Sequence, residues 1–206
     1  MRKLLAIVVL ATLVGCAPYK LVEPVRQNVG SGFSVETRMR WNQLAEDHVV
    51  GPVVIWTADG VGLDQLMFFT VAEGEPLLRR IGQPTALQQG PPPSPSRSAE
   101  EEKLPTFRAD MPANEIAELF EAAIARVTRS TIAHASNLRP IDFAGRPGFR
   151  FDFDYVTRDD LERRGLAVGT VKDKKLYLIF FQGSRLYHYE KYLPEVENIV
   201  RSARLL

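Results

Sequence analysis

Cysteine is nearly absent from this sequence, which has one cysteine among 206 residues. A single thiol excludes an intramolecular disulfide framework and any zinc site built from several cysteines. With only three histidines as well, we expect no bound metal and no cofactor. An excess of either charge is also missing, because 26 Lys and Arg stand against 25 Asp and Glu. The sequence therefore gives no electrostatic reason to expect nucleic acid as a partner.

Long apolar runs are missing too, apart from a short one at the N terminus. Residues 4–14 are eleven uncharged residues that follow Arg2 and Lys3. A transmembrane helix needs about 20 apolar residues, so this run instead has the length of the apolar region of a secretory signal. It ends in Leu-Val-Gly-Cys at residues 13–16, which resembles the bacterial lipobox.

The lipobox resemblance implies a lipid-anchored protein. Cys16 would accept a diacylglycerol, residues 1–15 would be removed as a signal peptide, and the new amino group would be acylated with a fatty acid such as palmitate. We therefore expect a membrane lipoprotein of the cell envelope that faces the periplasm. Ala17, where some lipoproteins have an aspartate retention signal, favours the outer membrane over the inner one. The alternative is a plain signal peptide followed by an incidental cysteine.

The rest of the chain is expected to be one domain on a tether. Residues 16–32 mix prolines and glycines with polar residues and predict a tether. Residues 33–206 predict a single α+β domain. Within it, residues 82–105 contain six prolines and predict an exposed loop, because proline cannot occupy a helix interior or a central strand.

Alternating and helical spacings predict the elements of this domain. Three antiparallel strands are expected between Phe33 and Val71, with a hairpin turn at Asp59-Gly60. Apolar residues recur at helical spacing over 111–129 and again near the C terminus, which predicts two amphipathic helices. Between the helices, short strands are expected at 141–143, 149–155, 166–171 and 176–181, with turns at 145–148 and 172–175.

The segment from Phe149 to Tyr155 shows the strictest alternation in the chain. Because neighbouring side chains of a strand point to opposite faces, Phe151, Phe153 and Tyr155 are expected in the core. Asp152 and Asp154 are then expected to face solvent.

The element order of the C-terminal half resembles a known fold family. The resemblance rests on the segments FRFDFDYVTRDD, GTVKDKKLYLIFFQG and RLYHYEKYLPEVENIVRSARL. Together these are similar to the PsbP-like α/β/α sandwich, a group that includes the DcrB-type bacterial lipoproteins. The resemblance implies an antiparallel sheet of six to seven strands with two amphipathic helices, and mostly non-catalytic roles in binding and assembly.

Motifs that carry chemistry are scarce. The acidic residues that come closest to the pattern of a cation-binding site are Asp152, Asp154, Asp159, Asp160 and Glu162. They lack the EF-hand spacing and are expected to be a solvated strand face and loop. Neither Ser31 nor Ser184 lies in a G-x-S-x-G motif, and no phosphate-binding or H-E-x-x-H motif occurs. We therefore expect no catalytic residues, although enzymatic activity stays open.

A cluster of aromatic and basic residues is the best candidate for a partner surface. It consists of Arg185, Tyr187, His188, Tyr189 and Tyr192. Tyrosine and arginine are enriched where proteins bind each other. The alternative is aromatic packing between the last long strand and the final helix. The sequence thus predicts a non-catalytic binding or assembly module with an unknown envelope protein as partner. The alternative is a periplasmic small-ligand binder or hydrolase with a pocket between helix and sheet.

Overall fold

The computed structural model describes residues 19–45, 53–77, 105–128, 130, 132–157 and 160–206. These residues form eleven strands and two helices. The strands are β1 (Tyr19–Val22), β2 (Arg26–Val29), β3 (Phe33–Glu36), β4 (Trp41–Leu44), β5 (Val53–Thr57), β6 (Asp64–Ala72), β7 (Ala133–Phe143), β8 (Arg146–Val156), β9 (Glu162–Lys172), β10 (Lys175–Ser184) and β11 (Arg204–Leu205). The helices are α1 (Ala113–Thr128) and α2 (His188–Ser202). Neither helix in this part of the chain is long and apolar enough to cross a membrane.

Eight of the strands form one antiparallel sheet in the order β1-β4-β5-β6-β10-β9-β8-β7. β10 lies inside the sheet, between β6 and β9. Residues 176–181 of β10 are all buried, and they alternate between the cores on the two faces of the sheet. A strand covered on both faces has no polar side, which explains its unbroken apolar and aromatic sequence. The α+β class is confirmed, with more strands than the six to seven expected.

Three further strands form a small sheet in the order β11-β3-β2. Within residues 16–32, where a tether is expected, the structure instead has β1, at the edge of the large sheet, and β2. β2 and β11 pair with opposite edges of β3. The Glu36 N–H at the end of β3 also donates to Ser202 Oγ of α2 at 2.8 Å. Contacts with β11 and α2, far along the chain, thus hold the hairpin of β2 and β3 in place.

The face of the large sheet covered by α1 has an aromatic core. The residues of β8 that point into it are Phe149, Phe151, Phe153 and Tyr155. These four are buried, as the alternation predicts. Phe120 of α1 packs edge-to-face on Phe153 and Phe180, with ring centroids 5.1 and 4.7 Å apart. The helix therefore covers this face because its apolar stripe and the aromatic side of β8 bury each other.

α2 and the small sheet cover the opposite face. Val196 of α2 is fully buried in a core that contains Trp41 and Trp56. The indole N–H of Trp41 donates to Thr37 Oγ1 at 3.1 Å, and that of Trp56 donates to Gln43 Oε1 at 3.2 Å. Both indoles are thus buried without leaving a polar group unpaired.

The polar side of β8 differs from the expectation. Asp152 and Asp154 lie on the face opposite the phenylalanines, but they are half-buried rather than exposed to solvent. Arg150 on the same face binds Glu197 of α2 at 2.6 Å, and Asp152 accepts a hydrogen bond from Asn137 at 2.8 Å. The expectation was wrong because α2 covers part of this face.

β7 is much longer than the predicted strand over 141–143. It runs for eleven residues along the outer edge of the sheet, and most of its side chains are half-buried or exposed. The pairing with β8 shifts register between Ser136 and Arg139, where Asn137 adopts a φ of 53°. A polar edge strand with a bulge lacks a clean alternation, which is why the sequence shows only its apolar end.

The hairpin turns are close to their predicted places. Asp173 and Lys174 have φ values of 50° and 57° and form the two-residue turn expected within 172–175. The turn expected at 145–148 instead consists of Ala144 and Gly145, with φ values of 54° and 73°. The helix expected over 111–129 is confirmed as α1. The predicted proline-rich loop at 82–105 lies outside the described residues, except for its last residue.

Candidate functional site

The β5–β6 loop (residues 58–63) and the β10–α2 loop (residues 185–187) meet at one end of the large sheet. The backbone N–H of Ser184 donates to the carbonyl oxygen of Leu63 at 3.1 Å. The buried Arg163 guanidinium donates to the same carbonyl at 3.4 Å and also to that of Gly62. The β5–β6 loop is therefore hydrogen-bonded to the end of β10, next to the β10–α2 loop, and to β9.

A buried carboxylate shapes the β5–β6 loop. Asp64 is fully buried and accepts hydrogen bonds from the backbone N–H groups of Ala58 at 2.7 Å and Asp59 at 2.8 Å. Burial raises the pKa of this carboxyl, although the two backbone donors oppose the shift. Gly60 has a φ of 120°, which an L side chain rarely adopts, so the Asp-Gly pair fits this turn.

Asp59 links this loop to α2. Its Oδ2 accepts from Lys191 Nζ at 2.7 Å and from Tyr192 Oη at 2.6 Å. His188 Nε2 lies 3.6 Å from the same oxygen. The hydrogen bond from Lys191, followed by that from Tyr192, lowers the pKa of Asp59 below its usual value. The same bond raises the pKa of Lys191. Both charged forms are thus favoured at neutral pH.

The side chains of Ser184, His188 and Asp59 lie next to one another in the order serine, histidine, carboxylate. Ser184 Oγ lies 2.8 Å from His188 Nδ1. A hydrolytic triad would use such a chain to remove a proton from the serine. Here the same Oγ accepts from the backbone N–H of His188 at the start of α2, at 3.4 Å. Asp59 is already paired with a lysine, and Ser184 is buried. This geometry suits fixing the first turn of α2 more than it suits nucleophilic attack.

The five residues predicted as a partner surface are divided between the surface and the core. Arg185 is exposed and pairs with Glu162 at 3.2 Å, and Tyr187 is 58% exposed. His188 is half-buried. Tyr189 and Tyr192 are buried, which matches the alternative of aromatic packing for these two. Cys16 lies outside the described residues, so its lipidation stays a prediction.

Two side chains that the sequence reasoning missed complete the exposed part of this end of the sheet. Leu186 is 95% exposed, and Leu63 on the neighbouring loop is 41% exposed. We call Leu63, Arg185, Leu186 and Tyr187 the Leu186 surface. Lys191 Nζ lies 5.3 Å from the centroid of the Tyr187 ring, at the margin of this surface. A leucine between a buried strand and a helix, outside the spacing of both, is the signal that sequence reasoning could have used.

The acidic residues considered as a cation site are not gathered together. Asp152 is bound to Asn137, Glu162 is bound to Arg185, and Asp159 lies outside the described residues. Within the described ranges, no group of three or more His, Cys, Asp or Glu side chains is placed to hold a metal ion.

Comparison with known proteins identifies the fold. No protein-family model matches this sequence, and no curated protein matches it. One similar solved structure is that of the cyanobacterial PsbP protein CyanoP from Synechocystis sp. PCC 6803. The superposition covers 95% of this chain and 97% of the CyanoP chain, with a TM-score of 0.56 at 12% sequence identity. The chain has the PsbP-like fold. At this identity the likeness shows the PsbP-like fold alone and says nothing of a shared activity.

A second solved structure, LpqN, described as involved in cell envelope biogenesis of Mycobacterium tuberculosis, is more distant. The superposition covers 92% of this chain and 92% of the LpqN chain, with a TM-score of 0.46 at 5% sequence identity.

The Asp59 interactions predict a dependence of stability on pH. Because the pKa of Asp59 is lower in the folded than in the unfolded state, its contribution is present above the unfolded value of 3.8 and is lost as the pH falls through the folded value. From about pH 6 to about pH 3, the wild type should lose more unfolding free energy than an Asp59→Asn variant. Urea titrations at both pH values measure this difference. Asp173→Asn, at a 79% exposed carboxylate in a turn, is the control and should follow the wild type. Equal losses in the wild type and Asp59→Asn would contradict the assigned role of Asp59.

Proposed function

We propose that this protein is a lipid-anchored protein of the cell envelope that binds a protein partner without catalysis. The observation that carries the proposal is the Leu186 surface. An almost fully exposed leucine beside an exposed tyrosine is unfavourable in water, and its burial by a partner contributes about 1.5–3 kcal/mol for the leucine alone. Compact exposed apolar patches of this kind mark interaction sites in soluble domains.

The Leu186 surface is held in place by its surroundings. The loop that carries Leu186 follows Ser184, whose backbone and side chain both make hydrogen bonds, and precedes a helix fixed by Asp59. A surface that is already ordered loses little conformational entropy on binding. Rigidity therefore supports a role in recognition.

The charges at the margin of this surface are arranged for specificity. Arg185 and Lys191 both have acidic partners within this chain, at 3.2 and 2.7 Å. Paired charges at the rim of an interface select partners more than they add affinity. The partner is expected to offer an apolar group to Leu186 and Tyr187. For the hydrolase alternative, the described residues offer the Ser184–His188–Asp59 group, whose hydrogen bonds already fix the start of α2.

Attachment to the membrane is the second part of the proposal. The apolar run at residues 4–14 and the only cysteine at its end support a lipid anchor at Cys16. Acylation with more than one chain gives stable attachment, whereas one chain does not. The residue after the cysteine, Ala17, favours the outer membrane, with the domain in the periplasm.

The anchor is tested by replacing Cys16. Cells that express the protein and are fed a clickable fatty acid should label the wild type. The Cys16→Ser variant should lose the label completely, because the thiol that accepts the lipid is gone. An Ala17→Ser variant, altered one position later, should still be labelled. Unchanged labelling of Cys16→Ser would disprove the anchor.

The binding surface is tested with a photo-crosslinking amino acid at Tyr187. We expect one defined crosslinked protein in cells. Leu186→Asp in the same chain should weaken this product about 10- to 100-fold, since it removes the apolar contact and adds a charge. Leu138→Asp, at a 40% exposed leucine on the far edge strand β7, is the matched control and should leave the product unchanged. A product that is insensitive to Leu186→Asp, or equally sensitive to Leu138→Asp, would refute the role of this surface.

A further inference from the structure

Exposed apolar side chains are concentrated at the start of the described chain. The structure exposes nine large apolar side chains among its described residues, and Tyr19, Leu21 and Val25 are three of them. These three lie within the first seven described residues. Tyr19 and Leu21 are 38% and 52% exposed. Such clustering is unlike the scattered single exposures that need no explanation.

β1 presents two of these side chains in a fixed orientation. It is an edge strand, paired with β4 from Tyr19↔Leu44 to Val22↔Trp41. Val22 is buried in the core beneath α2, and strand alternation therefore places Tyr19 and Leu21 on the opposite side of β1. Lys20 is exposed between them.

The length of chain before β1 limits where this strand can lie in an anchored protein. Three residue steps separate Cys16 from Tyr19, and a fully extended chain spans at most about 3.6 Å per step. Tyr19 then lies within about 11 Å of the acylated residue. The headgroup layer on each side of a bilayer is about 5–8 Å thick. An anchor at Cys16 therefore holds β1 at the lipid surface.

We propose that β1 is a membrane-contacting edge, with Tyr19 and Leu21 seated in the phospholipid headgroup layer. This inference rests on the lipid anchor of the proposed function and adds the orientation of the domain. A tyrosine with an apolar ring and a polar hydroxyl suits the membrane interface, and leucine suits its deeper side. A second copy of this chain, paired along the same edge, is the competing occupant.

The position of this edge in the sheet gives the proposal a matched internal control. β1 and β7 are the two outer strands of the eight-stranded sheet. Seven strand spacings separate them, which is about 33 Å. Leu138 on β7 is 40% exposed, close to the 38% of Tyr19. Indoles at these two positions therefore differ in their distance from the anchor much more than in their exposure.

The test uses the mature chain, residues 16–206, coupled through its only cysteine to a maleimide lipid in phosphatidylcholine–phosphatidylglycerol vesicles. This coupling replaces cellular acylation, so a failure of the anchor in cells and a failure of the membrane contact are separate results. Tyr19→Trp, Leu21→Trp and Leu138→Trp proteins are each compared with the parent protein to subtract the two native tryptophans. Brominated lipids quench an indole that enters the bilayer.

We expect the Tyr19→Trp and Leu21→Trp proteins to show blue-shifted emission and at least about 3-fold more quenching than the Leu138→Trp protein, because interfacial aromatic residues lie within the lipid layer. Equal quenching at the two edges, or no quenching at β1, would overturn the proposal. A blue shift without lipid that grows with protein concentration would show pairing between two copies and would overturn it too.

Discussion

Replacing Phe153 with alanine is expected to lower the free energy of unfolding by about 3–5 kcal/mol, the usual range for a buried phenylalanine. Phe153 is fully buried in the core under α1. Its ring packs edge-to-face on Phe120 and Phe180, with centroids 5.1 and 6.2 Å away. The substitution removes these aromatic contacts and leaves a cavity among side chains from three elements that cannot all move inwards.

Urea titration of the Phe153→Ala protein measures this loss directly. Asp152→Asn, the neighbouring residue on the other face of β8, is the control and should cost at most about 1 kcal/mol, because the amide keeps an oxygen that can accept the hydrogen bond from Asn137. If Phe153→Ala does not fold, Phe153→Leu keeps most of the volume and should cost about 1–2 kcal/mol. A similar effect of Phe153→Ala and Asp152→Asn would show that the assigned face of β8 is wrong.

The second large effect is expected at Gly183, at the end of β10. A Cβ added at this residue would lie 2.6 Å from the backbone nitrogen of Tyr189 and 2.9 Å from the carbonyl carbon of His188. These atoms belong to the first turn of α2. Backbone atoms cannot move out of the way as the end of a flexible side chain can. Gly183→Ala should therefore cost about 3 kcal/mol, the upper part of the range for overpacking, and should displace the start of α2.

Gly62 offers a matched control in the loop that touches this turn. A Cβ at Gly62 would meet nothing within 4 Å. Gly62→Ala should therefore leave stability within about 0.5 kcal/mol of the wild type. Thermal melts compare the two variants, and the Tyr187 crosslink reports the position of α2. If Gly183→Ala is as stable as Gly62→Ala and crosslinks normally, the close approach of α2 to β10 is not as the structure shows.

The elements that the sequence predicts well have local periodicity that tertiary packing does not oppose. The apolar stripe of α1, the alternation of β8 and the Asp59-Gly60 turn each follow from residues that are neighbours in the chain. The sequence predicts only the apolar end of β7, because an exposed edge strand has no buried face that enforces alternation. The sequence does not reveal β1 and β2 because strands of four residues are too short to show a periodic signal.

The sequence predicted only part of the candidate site. Tyr187 and Arg185 are exposed as a partner surface requires, but Tyr192 turns inwards to Asp59 at 2.6 Å. Asp59 and Tyr192 are 133 positions apart, so no local pattern could have joined them. The exposure of Leu186 likewise depends on which residues surround the loop.

By itself, the sequence determined the α+β class, the burial of the aromatic side of β8 and the expectation of a lipid anchor at Cys16. The tertiary structure alone decided that the chain from Tyr19 onwards is part of the sheets, that Asp152 is half-buried beside α2 and that Leu186 is exposed. The physical reason is that periodicity records which side of an element is buried, whereas the partner that covers that side is chosen by contacts between distant parts of the chain.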